Sequence, residues 1–279
     1  MKTRSLLRPR AAAVLALVER ALLGEVEAVH DFRVAARSLR AALRTLARDP
    51  RGRAMSEARR SLQRAIRLLA DPRDRDVGRS LLLKRATALE DGSPQRRRIL
   101  GLMASDRRMA LARCESEWPR DLAPRLVDLV SRKEPALRTV LRRTRAEAFR
   151  ERGRALALVA LLGRLYDPVR LHDLRRRIRS LRYALEDLAG LEHGAQAKVA
   201  LLKPLQSALG DIQDRVVLSR WLKAQATRFR RSDPALASEL REAARRAKAG
   251  SIEAHRRFLS LAPGRTLERL ALHVDPREG

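Results

Sequence analysis

This chain has little of what usually staples, stacks or anchors a protein. It holds one cysteine, Cys114, in 279 residues, so no disulfide can close within it, and a reducing cytosol is the expected setting. Its five histidines are scattered, with no close pairing that would suit zinc. Aromatic residues make up 3%, which leaves few platforms on which single-stranded nucleic acid could stack. The apolar run Ala11 to Val18 resembles the core of a signal peptide. Glu19 and Arg20 interrupt it and no clean cleavage site follows, so an amphipathic first helix is predicted instead. No run approaches the ~18 apolar residues that a membrane span requires, and a soluble, cytoplasmic protein is expected. The phosphate loop G-x-x-x-x-G-K-[ST] is missing. Lysine is scarce, at seven of 62 basic residues, and acid is short, at 33 aspartates and glutamates.

What remains is mostly leucine, alanine and arginine. Arginine supplies 55 of the basic residues and the formal net charge is +29. Charge of that size implies an acidic partner: nucleic acid, an anionic surface or a soluble polyphosphate. Arginine suits phosphate, because its planar fork meets two oxygens at once and stays protonated when partly buried. A GC-rich genome would also enrich arginine codons everywhere, so the total decides nothing and placement must.

Hydrophobic content of 45% is enough for a substantial core. β-branched runs are scarce, and the breaks are short: Gly24, Asp49-Pro50, Ala70-Asp71-Pro72, Asp91-Gly92-Ser93-Pro94, Trp118-Pro119, Asp167-Pro168, Gly190 to Gly194, Gly210 and Ser232-Asp233-Pro234. The pattern predicts an all-α protein of about nine or ten helices.

One motif occurs twice. His30-Asp31-Phe32-Arg33 continues to Arg37-Ser38-Leu39-Arg40, and His172-Asp173-Leu174-Arg175 continues to Arg179-Ser180-Leu181-Arg182. In each, the histidine and three arginines fall at i, i+3, i+7 and i+10, one face of a helix. Phe32, Ala36, Leu39, Leu43 and Leu46 form an apolar stripe beside the first row, which Arg44 extends. Leu174, Ile178, Leu181, Leu185 and Leu188 form the second stripe. No acidic residue lies between Phe32 and Arg48, nor from Leu174 to Leu185. A solvated helix face interleaves glutamate with arginine, because like charges one turn apart repel by a few tenths of a kcal/mol. Here the repulsion stands in both copies, which leaves room for a bound anion as counter-charge. Arg60, Arg64 and Arg67 share a face of a further helix, and Lys203 takes a comparable place in the second half. Arg107 and Arg108 are weaker candidates. The clusters Arg96-Arg97-Arg98, Arg142-Arg143-Arg145 and Arg245-Arg246 read as solvated surface.

A second pair of segments, Leu69 to Val77 and Leu209 to Val217, carries D-x-x-D in each copy (Asp71 and Asp74; Asp211 and Asp214). This spacing predicts a helix start, with Asp71 or Asp211 as N-cap and Pro72 at the first helical position. Pairing of these aspartates with the neighbouring arginine row is the alternative. The chain thus divides into two related halves, about 5–134 and 135–272, each predicted to be a helical bundle.

These four segments resemble the CHAD family, the conserved histidine α-helical domain, over about residues 5–270. The resemblance implies a single domain (5–272) of two pseudo-twofold-related four-helix bundles with a central basic groove. It also implies binding of inorganic polyphosphate, often at polyphosphate granules, through His30, Arg33, Arg37, Arg40, His172, Arg175, Arg179 and Arg182. Gln213 stands where the family often has histidine, and Ala70 where the second repeat has Gly210. Nothing matches the triphosphate-tunnel strand E-x-E-x-K that precedes the domain in many relatives, so a stand-alone module is expected. The expected protein is a non-enzyme that needs no cofactor or metal. Nucleic-acid binding and enzymatic polyphosphate turnover are the alternatives. Phosphoryl transfer ordinarily needs metal ligands, and the basic rows offer no carboxylate cluster.

Overall fold

The computed structural model describes residues 5–46, 53–84, 94–132, 134–192, 195–270 and 272. Among these the fold is all-α, with twelve helices. They are α1 (Arg8–Leu15), α2 (Val18–Leu22), α3 (Val26–Leu46), α4 (Arg53–Leu68), α5 (Ala70–Leu83), α6 (Pro94–Glu117), α7 (Leu122–Ser131), α8 (Leu137–Leu162), α9 (Pro168–Leu191), α10 (Gln196–Arg228), α11 (Pro234–Ser260) and α12 (Pro263–Glu268). The expected breaks at Asp49-Pro50 and at Asp91 to Ser93 lie outside the described residues.

Several boundaries follow from local chemistry. Asp167 caps α9, accepting from the amides of Val169 at 2.9 Å and Arg170 at 3.1 Å, with Pro168 in the first turn. Asp233 caps α11 in the same way through the Leu236 amide. Gly24, between α2 and α3, has φ +80°, a conformation that costs residues with a Cβ atom about 1 kcal/mol or more.

Of the two D-x-x-D segments only the first lies at a helix start, and there Asp71 is not the N-cap that the spacing predicts. In the first repeat the chain breaks at Leu69, whose side chain caps nothing, and Asp71 sits inside the first turn of α5. In the second, α10 runs unbroken through Gly210, Asp211 and Asp214. The two segments differ at four positions (Ala70, Pro72, Arg73 and Asp76 in the first), and of these Pro72 acts most directly on the backbone. Pro72 lacks an amide proton and its ring crowds the carbonyl four residues back, that of Leu68, where α4 ends. Ile212 has neither defect, so the helix continues.

Both apolar stripes are core. All five residues of the first are fully buried, and those of the second are at most 3% exposed. Three clusters of buried side chains result. The first gathers α1, α3, α4 and α7, and takes in Ala11 and Val14 of the signal-like run. The second gathers α8, α9, α10 and α12. The third joins Leu82, Ile99 and Met103 of α5 and α6 to Leu218, Trp221, Leu222 and Leu240 of α10 and α11. The two halves of the sequence therefore interlock through a shared core.

Arg96 was expected on the surface and is instead 5% exposed, donating to the carbonyls of Leu82 and Leu83 at the end of α5. Arg143 does the same for Leu46 at the end of α3, and Arg152 for Leu267 and Glu268 of α12. The last carbonyls of a helix have no partner within it and carry partial negative charge, which a guanidinium satisfies. Arg98 pairs with Asp233, Arg145 with Glu192 and both Arg245 and Arg246 with Glu242. Much of the arginine excess is structural.

Candidate functional site: a two-chambered arginine furrow

α3 packs against α8 and α9, and the histidine–arginine rows of α3 and α9 face one furrow between them. Two adjoining cavities make up the furrow. The smaller, about 320 Å³, is lined at the start of the rows by His30, Arg33, His172 and Arg175. Arg73, Asp74 and Val77 of α5 close it on one side, and Gln213, Asp214 and Val217 of α10 on the other. The larger, about 480 Å³, lies further along α3 and α9, where Arg40, Arg44, Arg177, Ser180 and Tyr183 line it. Its far wall is α4, with Arg59, Arg60, Gln63, Arg64 and Arg67. Arg37, Arg176 and Arg179 line both cavities and mark the join. The walls differ between the repeats: the position in α10 that matches Gln63 is Lys203, which is exposed and lines neither cavity.

Clamps hold the furrow in shape. Arg10 of α1 donates to Asp187 of α9, to Ser38 of α3 at 3.2 Å and to the Leu6 carbonyl at 2.8 Å, tying both ridges together. Burial pushes the Asp187 carboxyl up to about 7, against the pull of Arg10. Behind the larger cavity, two buried carboxylates one turn apart on α8 reach forward. Glu147 pairs with Arg44 at 2.8 Å and Glu151 with Arg177 at 3.4 Å. Asp121 holds Arg64 at 2.8 Å. These arginines keep donors for a ligand, since a guanidinium carries five N–H groups, but part of their charge is already met.

Arg60 also lies 4.0 Å from Glu57 and Arg176 3.5 Å from Asp173, and Arg33 donates to the Ile66 carbonyl; most of the others are not met. Among the described residues Arg37, Arg40, Arg59, Arg67, Arg73, Arg175 and Arg179 have no ion pair, and the Nε atoms of Arg37 and Arg175 are buried without a hydrogen-bond partner. Burial, with the repulsion of Arg37 and Arg175 added, pulls the Arg179 guanidinium down to about 9. Burial and then Arg37 pull Arg33 down to about 10. Both stay protonated at neutral pH in a field that opposes it. His30 is pulled below the ordinary imidazole value by burial and by Arg73, so the empty furrow holds it neutral near pH 7.

Eleven of the residues singled out from sequence line the furrow: His30, Arg33, Arg37, Arg40, Arg44, Arg60, Arg64, Arg67, His172, Arg175 and Arg179. Two do not. Arg182 turns back along its own helix to Glu186 at 3.2 Å and covers the ring of Tyr183, because the acid-free stretch ends one residue after Leu185. Lys203 points to solvent. Arg107 is also excluded, held by Asp76 at 2.5 Å and by the Gly24 carbonyl. Sequence reasoning missed Arg59, Arg73, Arg176 and Arg177. Two signals were available: the i+4 ridge Arg59-Gln63-Arg67, and the alignment of Arg73 with Gln213.

Of the D-x-x-D aspartates, the first members turn away, Asp71 to Arg113 and Asp211 to Arg215 and Arg257. The second members, Asp74 and Asp214, line the smaller cavity, and burial raises both carboxyls above their ordinary range. Among the described residues no three His, Cys, Asp or Glu side chains gather closely enough to hold a metal ion.

The CHAD domain family model matches residues 5–223. The chain belongs to the CHAD family. This CHAD domain has the fold of PptA from Streptomyces chartreusis, with a TM-score of 0.69 at 21% identity over 92% of this chain and 96% of that one. It also superposes on the crystal structure of the CHAD domain from the plant Ricinus communis, with a TM-score of 0.67 at 19% identity over 98% and 95% of the two chains. No curated protein matches it. No described helix is long and apolar enough to cross a membrane.

Proposed function

We propose that this CHAD domain binds inorganic polyphosphate along the furrow without catalysing its turnover, and that binding places it in the cytoplasm at polyphosphate granules. The observation that carries this is the convergence of two arginine rows, from distant parts of the chain, on one furrow where seven guanidiniums have neither an ion pair nor a hydrogen bond among the described residues. Uncompensated charge of that density raises the free energy of the empty protein, and a flexible anion with about one charge per unit relieves it along the whole track. Family membership points the same way. Nucleic acid fits less well. Tyr183 is the sole Phe, Tyr or Trp lining either cavity and is 4% exposed, so bases find no large ring to stack on, only His30, His172 and guanidinium planes.

The test is calorimetric titration of long-chain polyphosphate into wild type and an Arg37→Glu/Arg179→Glu variant whose fold is checked by circular dichroism. Both charges sit at the join of the cavities, so affinity is expected to fall by about 100-fold or more. Equal affinity would remove the furrow from the account. RNA or duplex DNA displacing polyphosphate at equal phosphate concentration would reassign the ligand. Magnesium-dependent phosphate release by purified protein would make it an enzyme.

A further inference from the structure

The two cavities share arginine but differ in acid. The larger carries no carboxylate among its lining residues, whereas the smaller has two, one from each repeat. Neither Asp74 nor Asp214 has a hydrogen bond or ion pair among the described residues, and no helix cap needs them. An ionised carboxylate repels an anion unless the two share a proton. An internal unit of polyphosphate has none to give, since each of its oxygens is either bridging or ionised. A terminal unit keeps an acidic proton with a pKa near neutrality, about 6 for a phosphate monoester, and donates it.

We propose that the smaller cavity receives the end of a polyphosphate chain, with the terminal phosphate and the Asp74/Asp214 carboxylates sharing a proton while the chain runs out over the larger cavity. The proposal rests on the polyphosphate reading and adds to it which part of the polymer is recognised. An O–H···O⁻ bond between phosphate and carboxylate is charge-assisted and about twice as strong as a neutral one. It works in either direction, because a protonated carboxyl donates to a fully ionised phosphate as readily as an ionised one accepts. The elevated carboxyl pKa values fit such sharing. Arg33, Arg73 and Arg175 supply the charge that holds the remaining oxygens, and Arg37 and Arg179 lead from this end to the all-arginine track.

The experiment compares polyphosphate of one length with free ends and with both ends capped as alkyl esters, which replaces the terminal hydroxyl with a group that has no proton to donate and leaves internal units alone. Wild type is expected to bind free-ended chains about tenfold more tightly or better, and Asp74→Asn/Asp214→Asn is expected to bind the two chains alike. Equal affinity of wild type for both chains overturns end recognition while leaving polyphosphate binding intact. Failure to bind either chain overturns both readings. A second comparison needs no variant: wild type should prefer a linear oligophosphate to a cyclic metaphosphate of the same unit count, and parity there also overturns the proposal.

Discussion

Arg33 and Arg175 hold the same place in their repeats, yet Arg33 donates to the Ile66 carbonyl at the end of α4, while Arg175 faces an unbroken α10 and finds no such acceptor. Its guanidinium lies near Gly210, where an added Cβ would sit 3.6 Å from Nη2. Identical residues are therefore loaded differently, Arg33 partly spent on the fold and Arg175 wholly available to a ligand. Truncating each to methionine should separate the roles. Arg33→Met should lose about 1–3 kcal/mol of stability, because it orphans a helix-end carbonyl, whereas Arg175→Met should mainly weaken polyphosphate binding; urea melts and titrations read the two effects. His30 gives a pH signature. In the empty protein burial and Arg73 hold its pKa below 6.5, with Arg37 and Arg33 adding to the fall and Asp31 opposing it. A bound phosphate reverses the bias toward imidazolium, so binding takes up a proton and affinity rises as pH falls from about 7.5 through 6.5. A His30→Gln variant should show a flatter profile over that window, and superimposable profiles would remove His30 from the contact.

At the scale of elements, the chain breaks between α4 and α5 beside Pro72, whereas α10 runs on through the matching Ile212 and carries Pro204 inside it without a break. Ile212→Pro would remove the Ile212 amide donor and crowd the Ala208 carbonyl within α10, costing about 3 kcal/mol or more, as chemical denaturation would read. Asp187 makes a different prediction. Its folded pKa, about 7, stands above the unfolded value of 3.8, so the folded state binds the extra proton between them. Its contribution to stability is present below pH 3.8 and is lost as pH rises through 7. Asp187→Asn should abolish that decline, and denaturation midpoints across pH 4–8 would show whether it does. The elements themselves were largely legible in sequence, because stripes such as Phe32 to Leu46 and caps such as Asp167 and Asp233 depend on neighbours within one or two turns. The break at Leu69 was misplaced because an aspartate near a proline also fits an N-cap, and only the packed helix decides between them. Arg96, Arg143 and Arg152 were illegible for another reason. Each serves a carbonyl on a different helix, and no spacing along the chain records that.

At the scale of the molecule, the repeat told which rows would carry charge but not which members would be left without a partner. The buried pair Glu147 and Glu151 partly neutralises Arg44 and Arg177 from behind, and Glu186 withdraws Arg182. What survives, among the described residues, is a set of seven furrow arginines with neither ion pair nor hydrogen bond, concentrated where α3, α4, α5 and α9 meet. The net charge of +29 surrounds this set, but surface charges beyond about 8–10 Å are screened at physiological salt, so the furrow rather than the total should govern binding. Each phosphate contact that releases a counterion from a flexible polyanion adds about 0.7 to the dependence of log affinity on log salt, by analogy with single-stranded nucleic acid. If six or seven of the unpaired arginines engage polyphosphate, the slope should be about −4 to −5, and affinity should fall by about 300- to 1000-fold between 50 and 200 mM salt. The Arg37→Glu/Arg179→Glu variant should have a slope shallower by at least two such contacts. A shallow slope in wild type, near −1, would mean that a few hydrogen bonds hold the ligand and that the unpaired guanidiniums have another purpose.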